Sequence, residues 1–311
     1  RVMEKKLLIG TLIPPIVIVL YSLYFHLNFV SVMRNIDPKL LILFISTYLA
    51  QIAVLALRDS RIAQVSYFTA FKARLLGNSV GLVIPGWAGQ DLARASVYSR
   101  YNRDIVKSFA LSLNEAMYDV VIGSLLFLAL VGIKASPIDL IYILTALGNV
   151  VGWTLGTGYV IFTSRRVIRA EEKLVNFLKL KNYYFLLQKG KEKVREATTW
   201  ESIFINSALT VLGYLIQSVA FYYVVPSFAF DVLINMTYFA ASLIPVPASS
   251  GFAELGLSIY FHPNLVVAIR ILELINYSLG FIFIREISLN HLKSQFNEIR
   301  SYGKLSERPG T

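Results

Sequence analysis

Ionisable and amide side chains interrupt apolar stretches of this 311-residue chain at Lys72, Arg74, Asn78, Asp91, Arg94, Glu115, Asp119, Glu254, Arg270 and Glu273. A charge at the middle of a bilayer costs roughly 2.5 to 3.5 kcal/mol on insertion scales, so a chain keeps several only if they pair or serve a task. Glu115 and Asp119 are one helical turn apart, which puts both carboxylates on one face. Asp91 and Glu254 fall in matching settings: Ile-Pro, then small residues ending in Gly89 or Gly251, then the acid, then an aliphatic run closing on Tyr98 or Tyr260. Such breaks expose unpaired amides and positive helix N-termini, which suit a phosphate or carboxylate. A broken helix with a buried acid, once per half, is the sequence pointer to a transporter-type site.

Other chemistries have less to work with. The chain has no cysteine, and its three histidines (His26, His262, His291) are far apart in sequence, so no metal site is expected. Gly77-Asn78-Ser79-Val80-Gly81 matches the G-x-S-x-G elbow of serine hydrolases, which leaves an intramembrane hydrolase as an alternative. That elbow needs a preceding strand and a partnered histidine, whereas the surroundings here read as an apolar helix. No catalytic residue and no cofactor is assigned, and the chain is expected not to be an enzyme.

A mean hydropathy of +0.59, with 56% apolar and 16% charged residues, excludes an ordinary soluble domain. The apolar runs are about twenty residues long without a period of two, so helices span the bilayer. The expected fold is an all-α integral membrane protein with about six transmembrane helices and two oppositely oriented re-entrant hairpins. One membrane domain covers 1–311. A first repeat at 40–131 holds span two, hairpin one and span three, and a second, inverted repeat at 203–285 holds span five, hairpin two and span six.

The spans are read at Leu7–Val30, kinked by Pro14-Pro15, then Leu40–Leu57, Ser108–Val131, Ile138–Phe162, Ile203–Val225 and Leu265–Ile284. The hairpins turn at Pro85-Gly86 and within Pro245–Gly251. Arg58-Asp59-Ser60-Arg61 reads as a charge cluster in water or headgroups. Gly148, Gly152 and Gly156 make a close-packing seam, read first as intramolecular packing and second as a homodimer interface. Residues 164–201 form a basic amphipathic connector on the membrane surface.

The net charge of +11 fits topology and anionic lipid rather than nucleic acid. Most cations gather at the two ends, after span two, at the base of hairpin one and in the connector, while Arg34, Lys39 and Lys134 mark the other side. Both termini are therefore expected in the cytoplasm of a multi-pass cell-membrane protein. Hairpin one then enters from the cytoplasm and hairpin two from outside.

Three blocks resemble the lysylphosphatidylglycerol synthase/flippase transmembrane family, from about span two to span six. The first is Asn78, Pro85, Gly86, Gly89, Asp91 and Arg94, with Gln90 inserted between glycine and acid. The second is Glu115 to Asp119, with Ala116 where arginine is usual. The third is Pro245, Pro247, Gly251, Glu254 and Arg270. The resemblance implies a lipid flippase for an anionic or aminoacylated phospholipid or a polyprenyl-phosphate lipid. The synthases' soluble aminoacyl-transferring domain finds no room after Arg285 or in the connector. In this reading Arg94, Arg270 and the hairpin N-termini hold the phosphate, with Asn78 beside them. Asp91, Glu115, Asp119 and Glu254 hold a cationic headgroup or coupling proton; Lys72, Arg74 and Glu273 are secondary. Glu254 and Arg270 are expected to couple electrostatically. The rival reading is an ion-coupled small-solute transporter.

Overall fold

The computed structural model describes residues 2–84, 87–134, 136–178, 181–288, 291–295, 297 and 299, with side chains from Gly10 onward except at positions 87 and 88. The chain is all-α, with no strand among the described residues. Helix α1 spans Val2–Tyr24, α2 Phe29–Arg34, α3 Pro38–Ala63, α4 Tyr67–Val83, α5 Trp87–Asn102 and α6 Ile105–Leu130. Then come α7 at Asp139–Thr163, α8 at Arg169–Phe177, α9 at Tyr184–Ala197, α10 at Trp200–Ser218, α11 at Phe228–Ser242, α12 at Phe252–Leu257 and α13 at Pro263–Ser278. Helices α6, α10 and α13 continue as 3₁₀ turns to Lys134, Tyr223 and Glu286.

Five of these helices, α3, α6, α7, α10 and α13, are long and apolar enough to cross a bilayer, so this is a multi-pass membrane protein. Their starts are written locally. The Asp37 carboxylate accepts from Lys39 N–H ahead of Pro38, Asp104 accepts from Lys107 N–H, and Thr199 and Ser202 form a reciprocal capping box. The first span differs from expectation. Helix α1 runs through Pro14 and Pro15 but stops at Tyr24, because His26 takes a left-handed conformation (φ 55°) and Asn28 caps the short α2. The apolar part of α1 among residues with described side chains is Gly10–Tyr24.

Each expected hairpin is a pair of helices in contact, α4 with α5 and α11 with α12. The first turn, Pro85-Gly86, lies outside the described residues. The chain returns closely beyond it: a Cβ on Gly89 would come within 2.6 Å of the Ile84 carbonyl oxygen. The second turn contains Ala248 (φ 47°), Ser249 (φ 57°) and Gly251 (φ 86°), three left-handed residues after Pro245 and Pro247. The 15 residues of α11 extend only ~22 Å, against a hydrocarbon core of ~30 Å. Helix α12 is shorter than the aliphatic run had implied, because His262 is extended before Pro263 and α13 begins there.

Each hairpin packs on its own half and also reaches across to the other. Helix α4 packs on α13 and its extension, and α11 packs on α6. Both contacts need a glycine: a Cβ on Gly280 would lie 2.0 Å from the Leu75 carbonyl oxygen, and one on Gly123 would lie 2.4 Å from the Phe239 ring. Where α3 crosses α10, a Cβ on Gly213 would approach the Leu55 side chain to 3.0 Å. The main core, with Phe44, Phe127, Tyr142, Phe221, Leu233 and Ile269 among its members, joins α3, α6, α7, α11 and α13.

The glycine seam of α7 corrects the first reading of it. A Cβ on Gly148, Gly152 or Gly156 would meet nothing within 4 Å, so the seam makes no intramolecular contact and faces outward. The connector forms α8 and α9, and α9 packs on α6 and α7. Lys191 is buried there on Glu171 at 2.6 Å, and Glu171 also accepts from Tyr159, Tyr184 and Gln188. Burial alone would raise the Glu171 pKa, but these donors hold it below the ordinary glutamate value.

Candidate functional site

Seven charged side chains of α3, α4, α5 and α6 converge inside the protein. Arg58 and Asp59, expected in water or headgroups, are both wholly buried. The reason is helical phase: Leu55, Ala56, Arg58, Asp59 and Ile62 share the inward stripe of α3. Arg58 donates to Asp119 Oδ1 at 2.7 Å, to Thr210 Oγ1 at 2.7 Å and to Asp59 Oδ1 at 2.8 and 3.0 Å. Arg74 donates to both oxygens of Asp59 and, at 3.1 Å, to Asp119 Oδ2. These two arginines are fully engaged, as buried guanidiniums must be.

Arg94 is held differently, although it is only 2% exposed. Its Nη1 lies 3.7 Å from Asp91 Oδ1 and 3.6 Å from both Glu115 Oε2 and Asp119 Oδ2, all beyond hydrogen-bonding distance. Its Nη2 makes a long bond of 3.4 Å to Gln90 Oε1, and its Nε has no partner. Gly77 makes the room, since a Cβ there would come within 3.0 Å of the Arg94 Cγ and Nε. The neighbouring acids are also incompletely satisfied. Asp91 Oδ1 accepts from Ser112 at 3.0 Å while Oδ2 has no partner, and neither oxygen of the wholly buried Glu115 accepts a hydrogen bond.

The second half has the opposite character. Arg270 donates through Nε to Glu254 Oε1 at 2.8 Å, through Nη1 to Tyr238 Oη, and through Nη2 to the Ala248 carbonyl at 2.8 Å. Glu254 Oε2 accepts from Gly251 N–H at 2.7 Å. The pair thereby ties the left-handed turn at Ala248–Gly251 to α13, which offsets the backbone strain stored there. The expected coupling of Glu254 and Arg270 is a direct, charge-assisted hydrogen bond.

Between the two hairpins is a cavity of about 140 Å³, room for on the order of ten waters. Asn78, Asp91, Arg94, Asp119 and Arg74 line one wall, with Gln90 and Gln51. Asn235, Tyr238, Ala248 and Ser249 of the second hairpin region line another, and Ile52, Leu55, Leu82, Val120, Phe239 and Val246 add an apolar lining. Glu115 stands behind Arg94 rather than on the wall, while Glu254 and Arg270 reach the cavity only through Tyr238 and Ala248. Glu273 is buried near Arg270, Tyr48 and Tyr277 with its Oε2 unpartnered. Lys72 is elsewhere: its side chain is 33% exposed and pairs with Glu286, which also accepts from Arg100 at 2.7 Å.

Ser79 is mid-helix in α4 and wholly buried, and its hydroxyl donates to the Leu75 and Tyr277 carbonyls rather than to an imidazole. His26 and His262, distant in sequence, line one polar groove with Asn28, Ser31 and Asn35. Among the described residues no three His, Asp or Glu side chains converge as metal ligands.

Sequence reasoning missed Arg58, Asp59, Gln90 and Tyr238. For the first two a signal existed, because the apolar stripe of α3 continues past them to Ile62 and Ala63. For Tyr238 there was none, since a tyrosine in an apolar helix is ordinary.

Neither a curated protein nor a solved structure matches the chain significantly. The family profile of the lysylphosphatidylglycerol synthase TM region does match, over residues 7–268, which takes in α1 as well as both hairpins and ends two residues before Arg270. With the paired hairpins, the buried charges and a match over most of its length, the chain belongs to the lysylphosphatidylglycerol synthase transmembrane-region family.

Proposed function

We propose that the protein is a lipid flippase that moves a phospholipid or polyprenyl-phosphate lipid between leaflets by way of the cavity between its hairpins. The observation that carries this reading is Arg94, a guanidinium on the cavity wall without one short hydrogen bond. A buried cation left so loosely held is suited to an anionic oxygen arriving from outside the protein. The acids Asp91 and Asp119 flank it and suit a cationic headgroup group, with Asn78 as a neutral donor. The apolar residues of the same cavity suit the glycerol and first acyl carbons, a lining fit for an amphiphile rather than a free solute.

The hairpins are read as re-entrant and the two halves as an inverted repeat, supported by the reciprocal packing of each hairpin across to the other half and by the short α11. Both termini are placed in the cytoplasm on the distribution of cations. The outward glycine face of α7 is assigned to a second copy of the chain. No enzymatic activity is assigned. Native mass spectrometry of the detergent-purified protein tests the lipid reading: a retained phosphate-bearing lipid that Arg94→Gln loses supports it, and a lipid-free protein that binds a small ion instead favours solute transport.

A further inference from the structure

The charge cluster is unbalanced. Three guanidiniums, Arg58, Arg74 and Arg94, face four carboxyls, Asp59, Asp91, Glu115 and Asp119. Fully ionised, the set would bury one surplus negative charge, and a surplus charge out of water is what a protein removes by binding a proton. The four acids are not equivalent hosts. Asp59 and Asp119 accept short hydrogen bonds from both Arg58 and Arg74, and Asp91 accepts from Ser112. Glu115 accepts none at either oxygen. Its nearest cationic atom is Arg94 Nη1 at 3.6 Å, and that same guanidinium lines the cavity.

Accepting the cavity as the headgroup site of the preceding section, we propose that Glu115 is a proton-binding residue linked to substrate through Arg94. With Glu115 protonated, Arg94 is free to hold an anionic phosphate in the cavity. With Glu115 ionised, Arg94 is claimed as its counter-ion and the phosphate loses its partner. Above the pH at which the empty site gives up that proton, one proton is taken from water on binding and returned on release, so Arg94 exchanges the Glu115 carboxylate for the phosphate as its counter-ion.

The groups facing Glu115 leave few other candidates. From α5 they are Arg94, Asp91 and Tyr98, from α3 Arg58 and Asp59, from α4 Arg74, and on its own helix Asp119 and Tyr118. Tyr214 of α10 donates to the Asp119 carbonyl, Tyr142 of α7 to the Phe252 carbonyl, and Tyr238 of α11 contacts Arg270. Lys189 and Lys191 of α9 are bound to Asp104 and Glu171. The linkage has a fixed sign: ligand favours the protonated acid, so affinity is highest at the acid end and falls as pH rises, by up to about tenfold per unit for one proton.

The test is binding of a soluble short-chain phosphatidylglycerol to the full chain in detergent from ~pH 5.5 to ~pH 9.5, a range wide enough for a deeply buried carboxyl. Wild-type affinity is expected to fall across this range, with about one proton taken up per ligand on the falling limb, read in weakly buffered solution with a pH indicator. Glu115→Gln is expected to bind with a flat pH profile. Wild-type binding that is flat and proton-neutral, or a slope kept in Glu115→Gln, overturns the linkage and leaves the headgroup site standing. Absence of binding at every pH overturns both. If Glu115→Gln does not fold, the proton count on wild type decides alone.

Discussion

Arg94 Nη1 stands 3.6 Å from Glu115 Oε2, close enough for attraction and too far for a hydrogen bond. In the other half Arg270 Nε meets Glu254 Oε1 at 2.8 Å, with every terminal nitrogen of that guanidinium engaged. The two pairs occupy matching places beside their hairpins but do different work: Arg270 holds a turn, and Arg94 faces a cavity with capacity to spare. This revises the idea of one headgroup shared between both arginines, since every nitrogen of Arg270 already donates to Glu254, Tyr238 or Ala248 and Arg270 is not on the cavity wall.

Removing one member of the second pair should therefore cost structure. Glu254→Gln leaves Arg270 buried without its carboxylate, at about 3 to 5 kcal/mol. The Glu254→Gln, Arg270→Gln double variant should lose less than the sum of the singles. A double-mutant cycle of thermal stability in detergent measures the difference, and strict additivity would show the residues to be independent.

Burial rather than charge count decides which cations matter to folding. Arg58→Gln or Asp59→Asn breaks a wholly buried network and should cost several kcal/mol. Lys72→Gln, on a partly exposed pair with Glu286, should change stability by less than ~1 kcal/mol. Melting temperatures of the three variants, side by side, check the order.

The glycines divide in the same way. Gly280→Ala drives a Cβ to 2.0 Å from the Leu75 carbonyl oxygen and Gly123→Ala one to 2.4 Å from the Phe239 ring, so each should destabilise by about 1 to 3 kcal/mol. The Gly280 clash is against backbone and should be the larger. Gly152→Ala meets nothing within 4 Å and should leave the single chain unharmed or up to ~1 kcal/mol more stable by helix propensity. A self-association that Gly152→Leu abolishes, read by cross-linking in bilayers, would assign that face to a second copy.

The connector should respond to acid. Glu171 has its pKa held low by Lys191, Tyr159 and Tyr184 against the opposing effect of burial. A carboxyl with a lowered folded-state value stabilises above its unfolded value, about 4.3, and that contribution is lost as pH falls through the folded value. Hydrogen exchange in α8 and α9 should therefore rise below ~pH 4.3 in wild type. Glu171→Gln should already exchange faster at neutral pH and change little on acidification.

Helix class, the two hairpins and the charged wall of the cavity were legible because each leaves a local mark: an apolar run of set length, a proline-glycine break, an acid where hydrocarbon is expected. Asn78, Asp91, Arg94 and Asp119 were read this way and stand on one wall. What lacked a local mark was phase and partnership. Arg58 and Asp59 read as an interfacial cluster because they end an apolar run, yet the rotation of α3 turns them inward onto Arg74 and Asp119, sequence neighbours of neither. The α7 glycines look the same in sequence whether a helix covers them or not. Lys72 and Arg74 are two residues apart on α4 and so point to different faces, one to Glu286 at the surface and one into the cluster.

Reconstitution into liposomes tests the central claim most directly, using labelled phospholipids and polyprenyl-phosphate lipids with leaflet exchange read by quenching from outside. The account predicts exchange above protein-free liposomes for at least one phosphate-bearing lipid and its loss in an Arg94→Gln variant that keeps the wild-type melting temperature. Exchange no faster than in empty liposomes for every class, or exchange unchanged by Arg94→Gln, would contradict it.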